Sequence, residues 1–274
     1  MKRFGLGWVV VACLGSTAWA SPAPDAVSCK VPTALPESGK PHWTYAGGEE
    51  PPAAWGELAG YETCGTGNAQ TPIDIATAGA VAAPGKPSFR NYGKIPLVIE
   101  QNGHTVQVDY TAKNDGSDPQ FDYGGKTYVL LQFHLHAPSE HHLDGRSFAG
   151  ELHMVHKAAD GSLAVVGVFL EEGAANPELA KVLASAPPAR TKTSCDAVTI
   201  DLATIVPTNG TLWSYAPGSL TTPPCTEGLT WFVSGTAVKF SKAQHDAFVA
   251  KTSASSNRPI QPLNHRTIQK LSLK

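Results

Sequence analysis

Residues 126–136 read Lys-Thr-Tyr-Val-Leu-Leu-Gln-Phe-His-Leu-His and lie between a Gly-Gly pair and an Ala-Pro pair. Aromatic and β-branched residues bounded by turn residues are typical of a β-strand. Side chains two residues apart project from the same face of a strand, so Gln132, His134 and His136 point together. The stretch therefore predicts a strand that presents an amide and two imidazoles on one face.

A second stretch, residues 151–155, reads Glu-Leu-His-Met-Val and places Glu151 and His153 on one face of another strand. Two histidines from one strand and a third from a neighbour form a tetrahedral zinc site whose fourth position stays open, as in catalytic sites. Gln132 and Glu151 each precede a ligand by two residues and are suited to orient the imidazoles. The spacing alone leaves a metal hydrolase, a zinc-binding module and a zinc hydratase open.

Short strand-like runs separated by Gly, Pro, Asn and Asp continue along the chain. Besides Lys126–His136, the predicted strands are Leu97–Glu100, His104–Tyr110, Phe148–His156, Leu163–Phe169 and Thr230–Val238. Helical pattern is confined to Asn176–Ala184 and Ser241–Ala250, where Ser241 fits an N-cap. The chain thus reads as one mainly β domain over residues 41–274.

The first forty residues have a different character. Residues 1–20 are predicted to be a secretory signal peptide. They contain a basic start at Lys2 and Arg3, the apolar run Phe4–Leu14, and the cleavage site Ala18-Trp19-Ala20. Residues 21–40 are rich in Pro, Ala and Ser and predict a tether. A lipoprotein cleavage site at Val11-Ala12-Cys13 is the alternative. We therefore expect a periplasmic or secreted protein without a membrane span.

Composition excludes several classes of protein. The chain has 274 residues, 42% of them hydrophobic, and a formal net charge of −2. It lacks the bias of collagen, coiled coils or disordered chains, and without a basic surplus we expect no nucleic-acid partner. Beyond Cys13 four cysteines remain, which in an oxidising compartment predict two disulfides. Spacing leaves all three pairings of Cys29, Cys64, Cys195 and Cys225 open.

Several segments resemble the α-class carbonic anhydrases, and the secreted bacterial branch in particular. The resemblance runs from residue 42 to the C-terminus. Its segments are His42-Trp43-Thr44-Tyr45, Gln70–Ile75, Asn102-Gly103-His104-Thr105, Gln132–His136, Ser139-Glu140-His141, Glu151–His156, Gly218–Pro224 and Arg258–Leu263. Any one of them is weak, but their order and separation make a chance match very improbable.

The resemblance implies a large, twisted, mostly antiparallel central sheet with few helices. It implies that His134, His136 and His153 bind Zn²⁺, and that zinc-bound hydroxide reversibly hydrates carbon dioxide to bicarbonate and a proton. Thr221 would orient the hydroxide and Glu140 would fix Thr221, because a carboxylate accepts hydrogen bonds and cannot donate them. Gln132 and Glu151 would orient the ligands. The residues expected to contact substrate are Thr222, Val155, Val165, Leu220 and Trp231.

The resemblance also makes His104 the proton shuttle, because imidazole titrates near neutral pH. Tyr45, Asn102 and Gln107 would order water between the metal and His104. The resemblance assigns no catalytic role to several other histidines of the domain, namely His141, His142, His156, His245 and His265. A disulfide is implied between Cys64 and Cys225, which leaves Cys29 to pair with Cys195.

Two other functions remain as alternatives. A catalytically silent carbonic-anhydrase-like binding domain would lack a ligand histidine, whereas all three are present. A periplasmic zinc carrier would carry His- or acid-rich loops, and an esterase would use the same metal site on another substrate. A homodimer is compatible with the sequence.

Overall fold

Strands carry most of the chain that the computed structural model describes, which is residues 29–48 and 50–273. The strands are β1 (Thr33–Ala34), β2 (Asp74–Ile75), β3 (Val81–Ala82), β4 (Ser88–Arg90), β5 (Lys94–Gln101), β6 (Val106–Asp109), β7 (Gln120–Tyr123), β8 (Lys126–His136), β9 (His142–Leu143), β10 (Gly150–Ala158), β11 (Leu163–Glu172), β12 (Thr191–Asp201), β13 (Gly210–Ser219), β14 (Glu227–Phe240) and β15 (Gln269–Leu273). The helices are α1 (Thr63–Thr66), α2 (Pro177–Ser185) and α3 (Lys242–Val249), with 3-10 turns at Pro52–Glu57, Thr77–Gly79 and Leu202–Thr204. The predicted signal peptide and Cys13 lie outside the described residues.

One large sheet organises the fold. Its strand order is β1-β12-β5-β6-β8-β10-β11-β14-β13-β15-β3, with β4 and β7 joined to it through β8. Pairing is antiparallel except between β11 and β14 and between β15 and β3. A separate parallel pair joins β2 to β9. The prediction of a mainly β domain with a large, mostly antiparallel sheet is confirmed.

The two faces of the sheet bury two different clusters of apolar side chains. On β8, Phe133 and Leu135 point into the larger apolar core, which also includes Leu179 and Phe248 from α2 and α3. A smaller core on the opposite side contains Val155 and Trp231 and the side chains around them. The alternation along β8 therefore turns its histidines away from the main core and toward the smaller one.

The two longer helices start where the sequence supplies caps. The Asn176 side chain accepts hydrogen bonds from the backbone N–H groups of Glu178 and Leu179 at the start of α2. Ser241 and Gln244 form a reciprocal capping box at the start of α3, as expected of Ser241. Among residues 29–48 and 50–273, no helix combines the length and apolar character needed to cross a membrane.

Two disulfides join distant parts of the chain, Cys29 to Cys195 and Cys64 to Cys225. Both pairs agree with the expected pairing. The first disulfide and the pairing of β1 with β12 attach the N-terminal segment to the sheet. Composition marks this segment as a tether, but from Cys29 onward its backbone is fixed, with Lys30 N–H donating to the Ser194 carbonyl at 2.9 Å.

Candidate active site

Strand register brings the three predicted metal ligands together. His134 on β8 lies directly opposite His153 on β10, and His136 follows His134 on the same face. The ring centroids are 4.9 Å apart for His134 and His136, 5.3 Å for His134 and His153, and 4.5 Å for His136 and His153. One nitrogen of each ring lies within 4.8 Å of the other two. The geometry therefore gathers three potential ligand atoms around one point.

Hydrogen bonds determine which nitrogens of the first two rings face that point. His134 Nδ1 lies 2.8 Å from Gln132 Oε1, and His136 Nδ1 lies 2.6 Å from the Ser256 carbonyl oxygen. Both partners are acceptors, so each Nδ1 carries the proton and each Nε2 keeps a lone pair. Within the described chain His136 Nε2 is buried without a hydrogen-bond partner. A buried lone pair of this kind fits a metal ligand.

Glu151 fixes the third ring and is the centre of a buried network. Its Oε1 accepts from His153 Nε2 at 2.9 Å and from His141 Nδ1 at 2.8 Å, and its Oε2 accepts from the backbone N–H groups of Glu140 and His141. His141 Nε2 in turn lies 2.7 Å from the Tyr215 hydroxyl. His153 therefore presents Nδ1 to the other two imidazoles. His141, which the sequence left without a part, orients Glu151.

The electrostatics of these groups favour neutral imidazoles beside a carboxylate. Burial, together with the nearby His153 imidazole, lowers the pKa of His136 to about 3. Burial and the neighbouring imidazoles likewise lower the pKa of His134, and burial lowers the pKa of His153. Burial alone would raise the pKa of Glu151, but His141 and His153 hold it well below its usual range. Only neutral imidazole can bind a metal, so the site is ready for ligation.

Glu140 lies beneath the imidazoles. Its Oε1 accepts from the Arg258 backbone N–H at 2.8 Å, and its Oε2 lies 3.5 Å from His136 Nε2 and 3.8 Å from His153 Nδ1. Burial raises the pKa of Glu140 well above its usual range, against the Arg258 backbone N–H and the Thr221 hydroxyl, which both lower it. Glu140 and Thr221, which the family resemblance pairs, thus lie close together.

A cavity of about 210 Å³ opens above the three imidazoles. Fourteen of its lining residues are ones predicted from the sequence, namely Tyr45, Asn102, His104, Gln107, Gln132, His134, His136, His153, Val155, Val165, Leu220, Thr221, Thr222 and Trp231. Trp43 and Thr105 also line it without having been assigned a part. Val155, Val165 and Trp231 belong to the smaller apolar core, so one wall is apolar while the opposite wall carries polar groups.

The three side chains expected to order water differ in what they offer to the cavity. The Tyr45 hydroxyl is buried without a hydrogen-bond partner in the described chain, and burial and Glu140 raise its pKa well above its usual range. Asn102 Oδ1 instead accepts from the backbone N–H groups of His104 and Thr105, both at 3.0 Å. Gln107 Nε2 donates to Asp109 at 2.7 Å. Among the three, only Tyr45 has a buried polar atom without a partner in the described chain, whereas Asn102 shapes the turn before His104.

His104 lies at the mouth of the cavity, stacked on Trp43. Burial, with smaller contributions from His42 and Arg190, lowers the pKa of His104 to about 4. This differs from the near-neutral titration expected from the residue type. The physical reason is the indole surface against the ring, which removes water from the imidazolium, and the positive charge of Arg190 nearby.

Comparison with known proteins agrees with this fold and site. Residues 50–272 match the family described as eukaryotic-type carbonic anhydrase. A carbonic anhydrase of Klebsiella pneumoniae is 39% identical over 228 residues, covering 83% of this chain and 90% of that protein. One from Neisseria gonorrhoeae is 35% identical over 245 residues, covering 88% and 93%. The α-carbonic anhydrase of Thermovibrio ammonificans, solved with the inhibitor sulfanilamide, superposes with a TM-score of 0.75 at 36% identity, covering 85% and 100%.

A mainly β fold with three converging histidines at the foot of a half-apolar cavity, a donor set consistent with a metal ion, defines a lyase of the α-carbonic anhydrase class. The chain belongs to the eukaryotic-type carbonic anhydrase family. It is a carbonic anhydrase, a carbonate dehydratase, with carbon dioxide and bicarbonate as the substrate pair that the family implies.

Proposed function

We propose that His134, His136 and His153 bind a zinc ion, and that this site carries out the reversible hydration of carbon dioxide to bicarbonate and a proton. The observation that carries the proposal is the hydrogen bonding of the three rings, which leaves one lone pair on each directed at a common point. Three neutral imidazoles are the donor set of catalytic zinc sites with an open fourth position. When bound, zinc supplies a nucleophile at neutral pH by lowering the pKa of water to about 7, a value for which carbonic anhydrase is itself the reference case.

Thr221 and Glu140 select what binds beside the ligands. A divalent ion bound by the histidines would favour the ionised carboxylate of Glu140, since Glu140 Oε2 lies 3.5 Å from His136 Nε2. An ionised carboxylate only accepts, so Thr221 donates its proton to Glu140 and its oxygen accepts from whatever enters the cavity. Thr221 therefore favours a ligand that presents a hydrogen-bond donor, and orients it.

The apolar wall suits carbon dioxide, which is apolar and needs a dry surface. That surface comes from Val155, Val165, Leu220 and Trp231 in the cavity lining. Thr222 lines the same cavity and provides a hydroxyl for the more polar bicarbonate. Trp231 is held in place by its Nε1–H, which donates to the Ser219 carbonyl at 2.9 Å. The two sides of the cavity thus match the two forms of the substrate.

Protons leave by way of His104, and the Tyr45 ring lies near both His104 and the ligand His136. Tyr45 and His104 have ring centroids 6.4 Å apart, and Tyr45 and His136 have centroids 6.2 Å apart. Tyr45 therefore lies between the metal ligands and the shuttle. Its unpartnered hydroxyl is placed to hydrogen-bond to water on this path.

The cysteines support function outside the cytoplasm. Disulfides persist in oxidising compartments, and both disulfides of this chain are formed. Together with the sequence of residues 1–20, this supports a periplasmic or secreted enzyme.

Zinc content of purified variants tests the metal site. His134→Ala, His136→Ala and His153→Ala each remove one of three protein ligands, so zinc affinity falls by orders of magnitude and carbon dioxide hydration is lost with it. His245→Ala, a histidine on α3 away from the cavity, is the matched control and keeps one zinc per chain. A ligand variant that retains stoichiometric zinc and full hydration activity would contradict the assignment.

A further inference from the structure

A second cavity of about 340 Å³ adjoins the first on the far side of His104. The two cavities share Trp43, Asn102 and His104 as lining residues. The outer wall of the second cavity comes from the N-terminal segment 35–42 and from Arg190. This segment precedes the stretch that matches the family, residues 50–272.

Hydrogen bonds to backbone groups of this segment fix that outer wall. Leu35 N–H donates to the Arg190 carbonyl at 2.9 Å, and the Tyr61 hydroxyl donates to the Pro41 carbonyl at 3.1 Å. The Cys29–Cys195 disulfide attaches the start of the segment to β12. The second cavity is therefore a preformed feature of the fold.

His42 lies on this wall and faces His104. The two imidazole centroids are 6.3 Å apart with ring planes at 41°, a separation that one water molecule can bridge. The His42 side chain is 68% exposed, so it exchanges protons directly with solvent, whereas His104 is stacked on Trp43. His104 lines both cavities and His42 lines only the second. The two imidazoles are thus arranged in series from the reaction cavity to bulk water.

We propose that His42 is an outer proton carrier, which takes the proton from His104 through water in the second cavity and releases it to solvent. This inference rests on the proposed shuttle role of His104. In the hydration direction, the His104 imidazolium gives an N–H proton to that water, which passes a proton to a ring nitrogen of neutral His42. His42 then loses a proton to solvent. In the dehydration direction the same protons move inward.

The charges around the pair favour rapid transfer away from His104. Burial, His42 and Arg190 lower the pKa of His104 to about 4, so its neutral form predominates at neutral pH. Lys40 lines the same cavity, and Glu37 lies 3.5 Å from the Arg190 guanidinium. Glu50 Oε2 lies 3.7 Å from His42 Nδ1, and the Glu50 carbonyl accepts from the Thr44 N–H at 2.9 Å, which keeps Glu50 beside the ring.

The test is steady-state carbon dioxide hydration by the zinc-loaded His42→Gln variant in a dilute buffer that transfers protons poorly. We expect kcat to fall about 3-fold with kcat/KM unchanged, because only proton export is slowed. Imidazole at high concentration should restore kcat. In the double variant His42→Gln/His104→Ala, kcat should equal that of His104→Ala alone, because carriers in series are not additive. His245→Gln, at a histidine that lines neither cavity, is the matched control.

Several outcomes would overturn the relay. In His42→Gln, these are an unchanged kcat, an equal loss in kcat and kcat/KM, or a loss of kcat that imidazole does not restore. In the double variant, the contradicting result is a kcat lower than that of His104→Ala by the full factor seen in His42→Gln. Failure of the shuttle itself has another signature, since His104→Ala would then keep wild-type kcat. A low kcat in His104→Ala with a wild-type kcat in His42→Gln rejects the relay alone.

Discussion

The imidazole of His104 lies flat on the indole of Trp43, with ring centroids 3.6 Å apart and planes 7° from parallel. The backbone before the ring is equally constrained, because Asn102 Oδ1 accepts from the N–H of His104 and Gly103 adopts a φ of 99°. A non-glycine residue would be strained at that φ. The ring is therefore held at the boundary between the reaction cavity and the second cavity, where it can contact water on both sides.

Replacing His104 separates proton export from the chemical step. In His104→Ala, we expect kcat to fall about 10-fold or more while kcat/KM changes little, because the side chain does not touch the metal ligands. Stopped-flow hydration in a poorly transferring buffer measures both constants, and added imidazole should recover much of the lost rate. Wild-type kcat in that buffer would show that the proton leaves by another route.

Replacing Glu151 tests the buried network around His153. Glu151→Gln keeps the shape but loses the charge and one acceptor oxygen, so it cannot accept from His141, His153 and the two backbone N–H groups at once. We expect zinc affinity to fall about 10- to 100-fold, the usual cost of removing a partner of a ligand histidine. Competition with a chromophoric chelator measures the affinity.

Glu171→Gln is the matched control for that experiment. Glu171 lies on β11 with its carboxylate paired to Arg146 and Lys239 at the surface, away from the three ligands. Its replacement should leave zinc affinity unchanged. If Glu151→Gln bound zinc as tightly as this control, Glu151 would have no part in orienting His153.

His156 makes stability depend on pH. It is fully buried in the main core, with Nε2 bonded to the Tyr92 hydroxyl, and burial lowers its pKa to about 4. The unfolded chain, with an ordinary histidine pKa near 6.5, binds the proton more readily. The stability from neutral His156 is therefore complete above about pH 6.5 and is lost as pH falls toward 4, by about 3 kcal/mol at most.

Urea unfolding in the presence of chelator, at pH 7 and pH 4.5, measures this effect without a contribution from metal release. His156→Leu should lose less stability than the wild-type protein over that interval. Equal losses in the two proteins would show that His156 does not contribute.

Strand alternation made much of the site predictable. The bounds of β8 are those predicted, and β10 begins and ends two residues after the predicted Phe148–His156. Period-two alternation on these strands places Gln132 beside His134, and Glu151 beside His153, from sequence alone. The register that sets His134 opposite His153 depends on the sheet, so the sequence pattern indicates a shared site without fixing the register.

Other contacts have no local sequence signal. The acceptor for His136 is the carbonyl of Ser256, 120 residues away, and any residue type provides a carbonyl. His141 meets Tyr215 across 74 residues. The lowered pKa of His104 likewise depends on Trp43 and Arg190, which are distant in sequence. Such contacts are properties of the folded chain.

Two long strands were missed for identifiable reasons. β12 is rich in Thr, Ser and Asp, and its register shifts between Cys195 and Thr199, which interrupts the alternation. β13 contains Gly210, Pro217 and Gly218, which are turn signals, and its register shifts after Tyr215. Bulges hide strands from a period-two search because they move the following side chains to the other face.

Stopped-flow carbon dioxide hydration with controlled metal content tests whether zinc held by His134, His136 and His153 carries the activity. The same preparation is assayed as zinc-loaded protein, after complete removal of zinc by chelation, and after zinc is returned. We expect rapid hydration with one zinc per chain, loss of that activity on chelation, and its recovery in proportion to restored zinc. We expect no recovery in His153→Ala at matched zinc concentration. Hydration that persists in the chelated protein, or that zinc restores equally in His153→Ala, would contradict this expectation.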